Sequence, residues 1–190
     1  MIQNRKQPLV FKKSRKRFET FFLQLCDQFM IRRNYTKTFL GFIKSILSQS
    51  YSNFELIVID DNSKDKTRKI LSKFSNNENF FVLRNKKNLG VAKSRNKGIK
   101  IASGDFIAFC DSDDFWEEDK LVNQVKLLES YDVVCSNYNL IDEESNLIKH
   151  IIEPEIITFN KMLNSNKIPN SSNIYNSKKL GKFYQKNIRH

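Results

Sequence analysis

The sequence predicts an α/β fold in which a mostly parallel sheet is flanked by helices. From Asn34 onward, segments with helical spacing alternate with short apolar runs, which is the pattern of repeated strand and helix units. Two of the apolar runs end in acidic clusters, as buried strands that feed functional loops do. The length of 190 residues is that of one domain, so we expect a single main domain.

The predicted elements follow one another along this part of the chain. Apolar residues at helical spacing indicate a helix over residues 37–49, and FELIVID, residues 54–60, is typical of a buried strand. A second helix should begin near Ser63 or Asp65, either of which can cap it, and end near Phe74. The remaining predictions are a strand at 80–85, a helix at 91–102, a strand at 105–111, a helix at 119–130 and a strand at 131–141.

The composition favours a folded protein with a basic surface. Hydrophobic residues make up 39% and charged residues 28% of the chain, which is ordinary for a globular domain. The 33 Lys and Arg residues outnumber the 21 Asp and Glu residues and give a formal charge of +12, which attracts phosphates, nucleic acid or an anionic membrane. Nucleic acid is not expected as a partner, because the sequence has no zinc-ligand spacing, RNP-like aromatic motif or recognisable helix-turn-helix.

Cysteine usage and hydropathy bear on the compartment. Cys26, Cys110 and Cys135 lie far apart, and an odd count without CxxC spacing argues against a disulfide framework. No run of about 18 apolar residues is present, so we expect neither a transmembrane helix nor a signal peptide. These features predict a cytoplasmic protein, with peripheral contact to the inner face of the membrane as an open alternative.

Two acidic clusters carry the first indication of chemistry. Residues 60–61 (DD) and residues 111–114 (DSDD) each follow a predicted buried strand, and ligands of open α/β sheets bind at the carboxyl ends of strands. Crowded carboxylates repel one another unless a cation compensates, and their oxygen atoms suit magnesium or manganese. The alternative is that Asp serves here as an ordinary turn residue, which caps helices and bonds nearby backbone.

Two longer motifs make the chain similar to a known family. SILSQSYSNFELIVIDDNSKDKT and, further on, NLGVAKSRNKGIKIASGDFIAFCDSDDFW resemble the nucleotide-binding core of family 2 glycosyltransferases in order and spacing. The resemblance is strong over residues 34–121 and continues more weakly through DVVCSNYNLIDEESN and NKIPNSSNIYNSKKLGKF. It implies a GT-A (Rossmann-like) fold and an inverting enzyme that transfers a sugar from a nucleotide-sugar donor, UDP-linked in our prediction, to a glycan or lipid-linked acceptor.

The resemblance also implies a set of site residues. Asp61 matches the carboxylate that accepts a hydrogen bond from the base of the nucleotide. Asp111, Ser112 and Asp113 match the DxD motif, in which the last acid binds the Mn²⁺ or Mg²⁺ that bridges the diphosphate and the first lies near ribose and metal. Asp111 and Asp113 are therefore the expected metal ligands. Arg95 is a candidate to offset phosphate charge through charge-assisted hydrogen bonds, the alternative being a solvated helix cation.

The amino-terminal segment departs from the family pattern. The family's first strand, a β-branched run that ends in Pro, Thr or Val, Tyr and Asn, has no counterpart before Asn34, so we expect that strand to be missing. Residues 1–33 are strongly basic, and their apolar residues can share one helical face. These are Phe18, Phe21, Phe22, Leu25 and Phe29. The segment is interpreted either as an amphipathic helix on an anionic membrane or as displaced sequence.

The carboxyl-terminal segment departs as well. LGKFYQKNIRH ends where the family continues into a Glu-Asp pair whose Asp deprotonates the acceptor hydroxyl. We therefore expect residues 34–190 to form a GT-A nucleotide-sugar-binding domain that is truncated in its acceptor half, and we identify no catalytic base. The alternative functions are a non-catalytic nucleotide-binding remnant of such an enzyme and, with less support, a basic nucleic-acid-binding protein.

Overall fold

Ten strands and five α-helices make up the part of the chain that the computed structural model describes, which is residues 2–3, 8–12, 19–25, 35–142, 144–153 and 168–186. The strands are β1 (Ile2–Gln3), β2 (Pro8–Lys12), β3 (Glu19–Leu25), β4 (Phe54–Asp60), β5 (Phe80–Arg84), β6 (Phe106–Asp111), β7 (Tyr131–Ser136), β8 (Tyr138–Ile141), β9 (Leu147–Ile151) and β10 (Asn173–Asn176). The helices are α1 (Tyr35–Leu47), α2 (Thr67–Leu71), α3 (Val91–Ile101), α4 (Lys120–Leu128) and α5 (Ser177–Leu180). Short 3-10 helices cover Ser72–Phe74 and Asn170–Ser172.

A seven-stranded sheet in the order β2-β7-β10-β6-β3-β4-β5 forms the centre of the fold. The four strands β6, β3, β4 and β5 run parallel to one another. Strand β10 is antiparallel to β6 and β7, and β2 is antiparallel to β7. A separate antiparallel sheet contains β1, β8 and β9. The α/β prediction is confirmed, with an antiparallel half added to the predicted parallel strands.

We expected the family's first parallel strand to be missing from this chain. Strand β3 takes its place in the sheet. Its residues pair in parallel with β4 on one side and with β6 on the other. Both the missing strand and the amphipathic helix are therefore wrong predictions for Glu19–Leu25. Periodicity misled us because a short apolar run fits a strand covered on both faces as well as it fits one turn of a helix. Phe18 and Phe29 lie outside the described residues, and the displaced-sequence interpretation stays a prediction.

Helices cover both faces of the sheet, and side chains of β4 alternate between two hydrophobic cores. Leu56 and Val58 pack in the larger core with α1 and α4, whereas Ile57 and Ile59 pack in a second core with Ile99 of α3. Four apolar residues of α1 are fully buried in the larger core: Phe39, Phe42, Ile43 and Ile46. These residues form the helical stripe that the spacing predicted.

From residue 35 to residue 136 the boundaries of the elements follow the predictions closely, except that the second helix begins only at Thr67 and passes into a 3-10 turn over Ser72–Phe74. Strand β4 has the predicted bounds, and the side chain of Asp65 accepts a hydrogen bond of 2.9 Å from the Thr67 amide at the start of α2. The predicted strand at 131–141 is two strands that belong to different sheets. They are separated at Asn137, whose Oδ1 accepts a hydrogen bond of 2.9 Å from the Glu153 amide. This contact ties the turn between β7 and β8 to the residues after β9.

The lengths of the helices and the state of the cysteines bear on the compartment of the protein. In the ranges that the structure describes, no helix is long and apolar enough to cross a membrane. Cys110 and Cys135 are free, buried thiols, whereas Cys26 lies outside the described residues.

The central position of β3 predicts the effect of proline at Phe22. Phe22 lies opposite Ile57 and Phe109 in the two parallel ladders. We expect Phe22→Pro to lower the free energy of unfolding by at least about 1–3 kcal/mol, because proline removes a ladder donor and leaves a buried carbonyl unpaired. Phe22→Leu, which keeps the amide, is the matched control. Urea midpoints that are the same for the proline and leucine variants would place this segment outside the sheet.

Candidate functional site

The carboxyl ends of β4 and β6 lie at one edge of the sheet because both strands pair in parallel with β3. In these ladders Leu25 is opposite Asp60, and Gln24 is opposite Asp111. The two acidic clusters therefore leave the sheet side by side, with one strand between them. This is the edge at which open α/β sheets bind ligands.

Asp60 shapes the first loop at this edge. Its Oδ1 accepts a hydrogen bond of 2.8 Å from the Ser63 amide, and its Oδ2 lies 3.4 Å from Nε of Arg84. In the turn between Asp60 and Ser63, Asn62 takes a left-handed conformation with φ of 69°, which Asn tolerates better than most residues. Asp60 is thus a structural residue that closes the turn after β4.

Asp61 is fully buried and accepts three hydrogen bonds from other parts of the chain. Its Oδ1 accepts from the side-chain amide of Asn85 at 2.7 Å and from the Leu89 amide at 2.9 Å, and its Oδ2 accepts from the Gly90 amide at 2.8 Å. Gly90 has φ of +80°, which a residue with a side chain adopts only with strain. Asp61 therefore fixes the turn that precedes α3, a role that we did not predict.

Asn85 extends this buried network to α3. Its side-chain amide also donates to Oγ of Ser94 at 2.9 Å, and its Oδ1 accepts a hydrogen bond of 2.7 Å from Nζ of Lys97. The positive charge of Lys97 is thereby connected, through one amide, to the buried carboxylate of Asp61. Hydrogen bonds of this kind offset the cost of burying a polar side chain.

Arg95 and Asp111, which we predicted as site residues, form an ion pair. The arginine is 9% exposed, and its guanidinium lies 6.0 Å from the ring centroid of Phe109. Its Nη1 also donates to Oε1 of Gln185 at 3.3 Å. The backbone of Gln185 is held by Asn96 through bonds of 2.8 and 2.6 Å. Arg95 is therefore a buried, paired residue of the site, and the interpretation as a solvated cation is wrong.

The DxD loop continues directly from β6. The Asp111 amide donates to Oγ of Ser171 at 2.9 Å, and the Asp114 amide donates to the Asp111 carbonyl at 3.0 Å. Ser112 and Asp114 are buried, whereas Asp113 is half-buried. Within the described part of the chain, no hydrogen bond or ion pair involves the Asp113 carboxylate. Asp113 thus presents carboxylate oxygens beside the Arg95–Asp111 pair.

The donor set of this loop fits a hard divalent cation that completes its shell with a ligand. Asp111 and Asp113 supply carboxylate oxygens, which suit Mg²⁺ or Mn²⁺ and suit zinc less well. The described residues contain no group of three or more His, Cys, Asp or Glu side chains placed to hold a metal ion. A cation here would therefore take most of its ligands from water and a bound phosphate, as Mg²⁺ in nucleotide sites does.

A buried lysine lies behind this loop, and we did not predict it. Lys120 is 4% exposed, and its Nζ lies 4.2 Å from the ring centroid of Trp116 and 2.5 Å from Oε1 of Gln124. Burial lowers the pKa of Lys120 to about 7. Trp116 is itself buried and donates from Nε1 to the Ser171 carbonyl at 2.9 Å. Spacing could not reveal this site, because the lysine is the first residue of an ordinary amphipathic helix.

The three hydrogen bonds to Asp61 predict a large cost for the isosteric amide. Asp61→Asn removes the charge and replaces one acceptor oxygen with a donor that faces a backbone or side-chain N–H group. We expect the free energy of unfolding to fall by about 2–4 kcal/mol, since bonds to charged groups are strong and a buried unpaired donor is costly.

The matched control for this prediction is Asp65→Asn, because Asp65 is exposed and the Asn side-chain oxygen can accept its hydrogen bond from the Thr67 amide equally well. Urea or thermal unfolding of both variants provides the measurement. Equal stability of the two variants would mean that the bonds to Asp61 do not hold the turn before α3.

Comparison with known proteins agrees with this geometry. The glycosyl transferase family 2 model matches residues 29–184. The UDP-Glc:alpha-D-GlcNAc-diphosphoundecaprenol beta-1,3-glucosyltransferase WfgD of Escherichia coli is 38% identical over 134 residues, which are 70% of this chain and 52% of that protein. WfaP of Escherichia coli, which bears the same enzyme description, is 34% identical over 142 residues, which are 74% of this chain and 56% of that protein.

A solved structure supports the fold assignment. The crystal structure of S. aureus TarS 1-349 superimposes with a TM-score of 0.50 and 28% identity, covering 57% of this chain and 31% of that one. The GT-A fold that the resemblance implied is confirmed. The chain spans little more than half the length of the two Escherichia coli relatives. With the family model matching most of its length, the chain belongs to glycosyltransferase family 2.

Proposed function

We propose that the chain carries the donor-binding site of a glycosyltransferase that uses Mg²⁺ or Mn²⁺ and moves a sugar from a UDP-linked donor to a glycan or lipid-linked acceptor. The observation that carries this proposal is the arrangement of Arg95, Asp111 and Asp113 at the carboxyl end of β6. The names of the two Escherichia coli relatives state a UDP-glucose donor and an acceptor attached to diphosphoundecaprenol. The formal charge of +12 suits peripheral contact with an anionic membrane that contains such an acceptor.

The two carboxylates of the DxD loop would divide the work of holding the cation. Asp113 has no partner among the described residues, so its oxygens are free to coordinate at no cost in broken contacts. Asp111 already faces Arg95, which limits the negative charge that the cation must meet. A Mg²⁺ or Mn²⁺ held by these residues would supply positive charge that neutralises a diphosphate leaving group.

Arg95 is proposed to act on both the loop and the donor. Its guanidinium carries five N–H donors, more than its contacts with Asp111 and Gln185 require. The contact with Asp111 fixes the orientation of that carboxylate, and the remaining donors are directed to diphosphate oxygens. Charge-assisted bonds from a planar guanidinium are well suited to phosphate.

Asp61 is proposed to face the base of the nucleotide. Each oxygen of a carboxylate can accept about two hydrogen bonds, and Oδ2 of Asp61 accepts one from the described residues, that of the Gly90 amide. An N–H group of a base such as uracil would take the remaining position. Because Asp61 is fully buried, this contact requires the Leu89–Gly90 turn to shift when the nucleotide binds.

Calorimetry with UDP tests the proposal directly. We expect UDP to bind with millimolar or tighter affinity in the presence of MnCl₂ or MgCl₂, and much more weakly after addition of EDTA. The absence of metal-dependent heat with a folded sample would refute the assignment. Retention of the chain on DNA at low salt, with no UDP binding, would instead favour the nucleic-acid hypothesis.

Asp113→Asn separates a specific ligand from general charge attraction. The amide keeps the size of the side chain but lacks the negative charge that attracts the cation, so we expect metal-dependent UDP binding to weaken by tenfold or more, about 1.4 kcal/mol. Glu118→Gln is the matched control, because Glu118 is exposed and the change in net charge is the same. A similar loss in both variants would show that Asp113 is not a metal ligand.

A further inference from the structure

The turn at Asn170–Ser172 holds the DxD loop from behind. Oγ of Ser171 accepts the hydrogen bond from the Asp111 amide, which is the backbone of the first DxD residue. Side chains from other elements donate hydrogen bonds to two carbonyls of this turn. The Ser171 carbonyl accepts from Nε1 of Trp116 at 2.9 Å, and the Ser172 carbonyl accepts from the side-chain amide of Gln124 at 2.8 Å.

Lys120 joins two of the side chains that hold this turn, Trp116 and Gln124; a third, Ser136, donates from Oγ to the Ser172 carbonyl at 3.2 Å. The Lys120 ammonium lies over the ring of Trp116 and within hydrogen-bond distance of Oε1 of Gln124. The donation to Oε1 orients the Gln124 amide so that its NH₂ group faces the Ser172 carbonyl. A cation over the ring face likewise holds the indole plane, and with it the direction of Nε1. One buried side chain thus determines the direction of both donors.

We propose that Lys120 is a positioning residue for the DxD loop, acting through Trp116 and Gln124 on the Asn170–Ser172 turn and so on the backbone of Asp111. In its protonated form it holds both donors on the turn. In its neutral form the attraction to the ring is lost and the bond to Gln124 weakens. The consequence for donor binding rests on the proposed function, whereas the consequence for the loop itself does not.

The surroundings of Lys120 make its protonation state variable near neutral pH. The titratable groups that face it from the sheet are the thiols of Cys110 on β6 and Cys135 on β7. Asp114 in the loop and Glu153 beyond β9 act in turn on those thiols. Burial raises the pKa of Cys110 well above its ordinary value and that of Cys135 to about 12, so neither thiol supplies a negative charge. No carboxylate among the described residues forms an ion pair with Lys120.

Trp116 is the single tryptophan of the chain, so its fluorescence reports the contact without a ligand. We expect the emission of the wild type to change with a midpoint near pH 7. Lys120→Met should abolish this change between pH 5.5 and 8.5. Lys120→Arg should abolish it as well, while keeping the emission of the acidic form, because a guanidinium stays charged. His150→Gln tests whether the histidine in the described part of the chain causes the change in emission, and it should leave the midpoint unchanged.

Hydrogen exchange at the Asp111 amide reports the loop itself. At pH 6.5, where Lys120 is largely protonated, we expect Lys120→Met to lower the protection factor of this amide by roughly three- to tenfold, the range for one lost hydrogen bond. Lys120→Arg should keep the protection of the wild type, and so should the Ile99 amide in every variant. If Lys120→Met does not fold, the arginine variant and the wild-type titration still decide the question.

Two results would overturn the proposal. One is a fluorescence midpoint near pH 7 that survives in Lys120→Met or Lys120→Arg, and the other is unchanged protection of the Asp111 amide in Lys120→Met. Metal-dependent UDP binding, measured in parallel, should weaken between pH 6.5 and pH 8.5 for the wild type relative to Lys120→Arg, because titration of UDP itself affects both proteins equally. If the wild type binds no UDP at either pH, the proposed function fails, and the two ligand-free measurements still decide the role of Lys120.

Discussion

The parallel pairing of β3 with both β4 and β6 is the constraint on which the rest of the site depends. Through these two ladders, the ends of β4 and β6 are held in one register and one direction. The loop after β4 and the DxD loop after β6 therefore leave the sheet at the same edge. Helix α3 packs beside β3 and β4 and brings Arg95 to the same edge. Without β3 between β4 and β6, the distance between the two loops would not be fixed, and neither would the position of Arg95 relative to them.

The carboxylates at this edge differ in whether the described residues give them a partner, and that difference indicates where a cation would bind. The buried carboxylate of Asp61 is satisfied by three N–H groups, and Asp111 is paired with Arg95. Asp113 is the carboxylate of the loop for which the described residues provide no partner. A divalent ion held by Asp113 would supply positive charge at that position. The ion pair keeps the Asp111 carboxylate oriented beside that position.

The buried ammonium behind the loop has an energetic cost that the site tolerates. Because the pKa of Lys120 is lowered to about 7 in the folded chain, the unfolded chain binds the extra proton between about pH 7 and the ordinary value of 10.5. The free energy of unfolding therefore rises with pH across that interval, and the charged form is the less stable one. A residue that costs stability in the state in which it orients its neighbours is common at functional sites.

The sequence predicted the parts of this fold in which local pattern and tertiary context agree. Strand β4 and helix α1 have apolar patterns that their buried positions explain, and both were predicted within two residues. Strand β3 was missed because its apolar run fits a helix equally well until its neighbours are known. The division between β7 and β8 was missed because the sequence of residues 131–141 reads as one continuous strand. The break at Asn137 depends on a contact with Glu153, which is distant in sequence.

The site residues divide in the same way, into those with a local motif and those defined by tertiary contacts. Arg95, Asp111 and Asp113 were predicted from motifs, and the structure brings them together at one edge of the sheet. Lys120 and Gln185 were not, since their roles depend on contacts with residues that are distant in sequence. Nothing in the helical pattern of α4 distinguishes a lysine that is buried against a tryptophan from one in solvent.

An anomalous difference map of crystals of this chain grown with UDP and Mn²⁺ tests the central claim most directly. We expect one manganese peak about 2 Å from a carboxylate oxygen of Asp113, UDP density at the same edge of the sheet, and Arg95 still beside Asp111. A manganese peak away from residues 111–113, or UDP bound at another edge of the sheet, would contradict this claim.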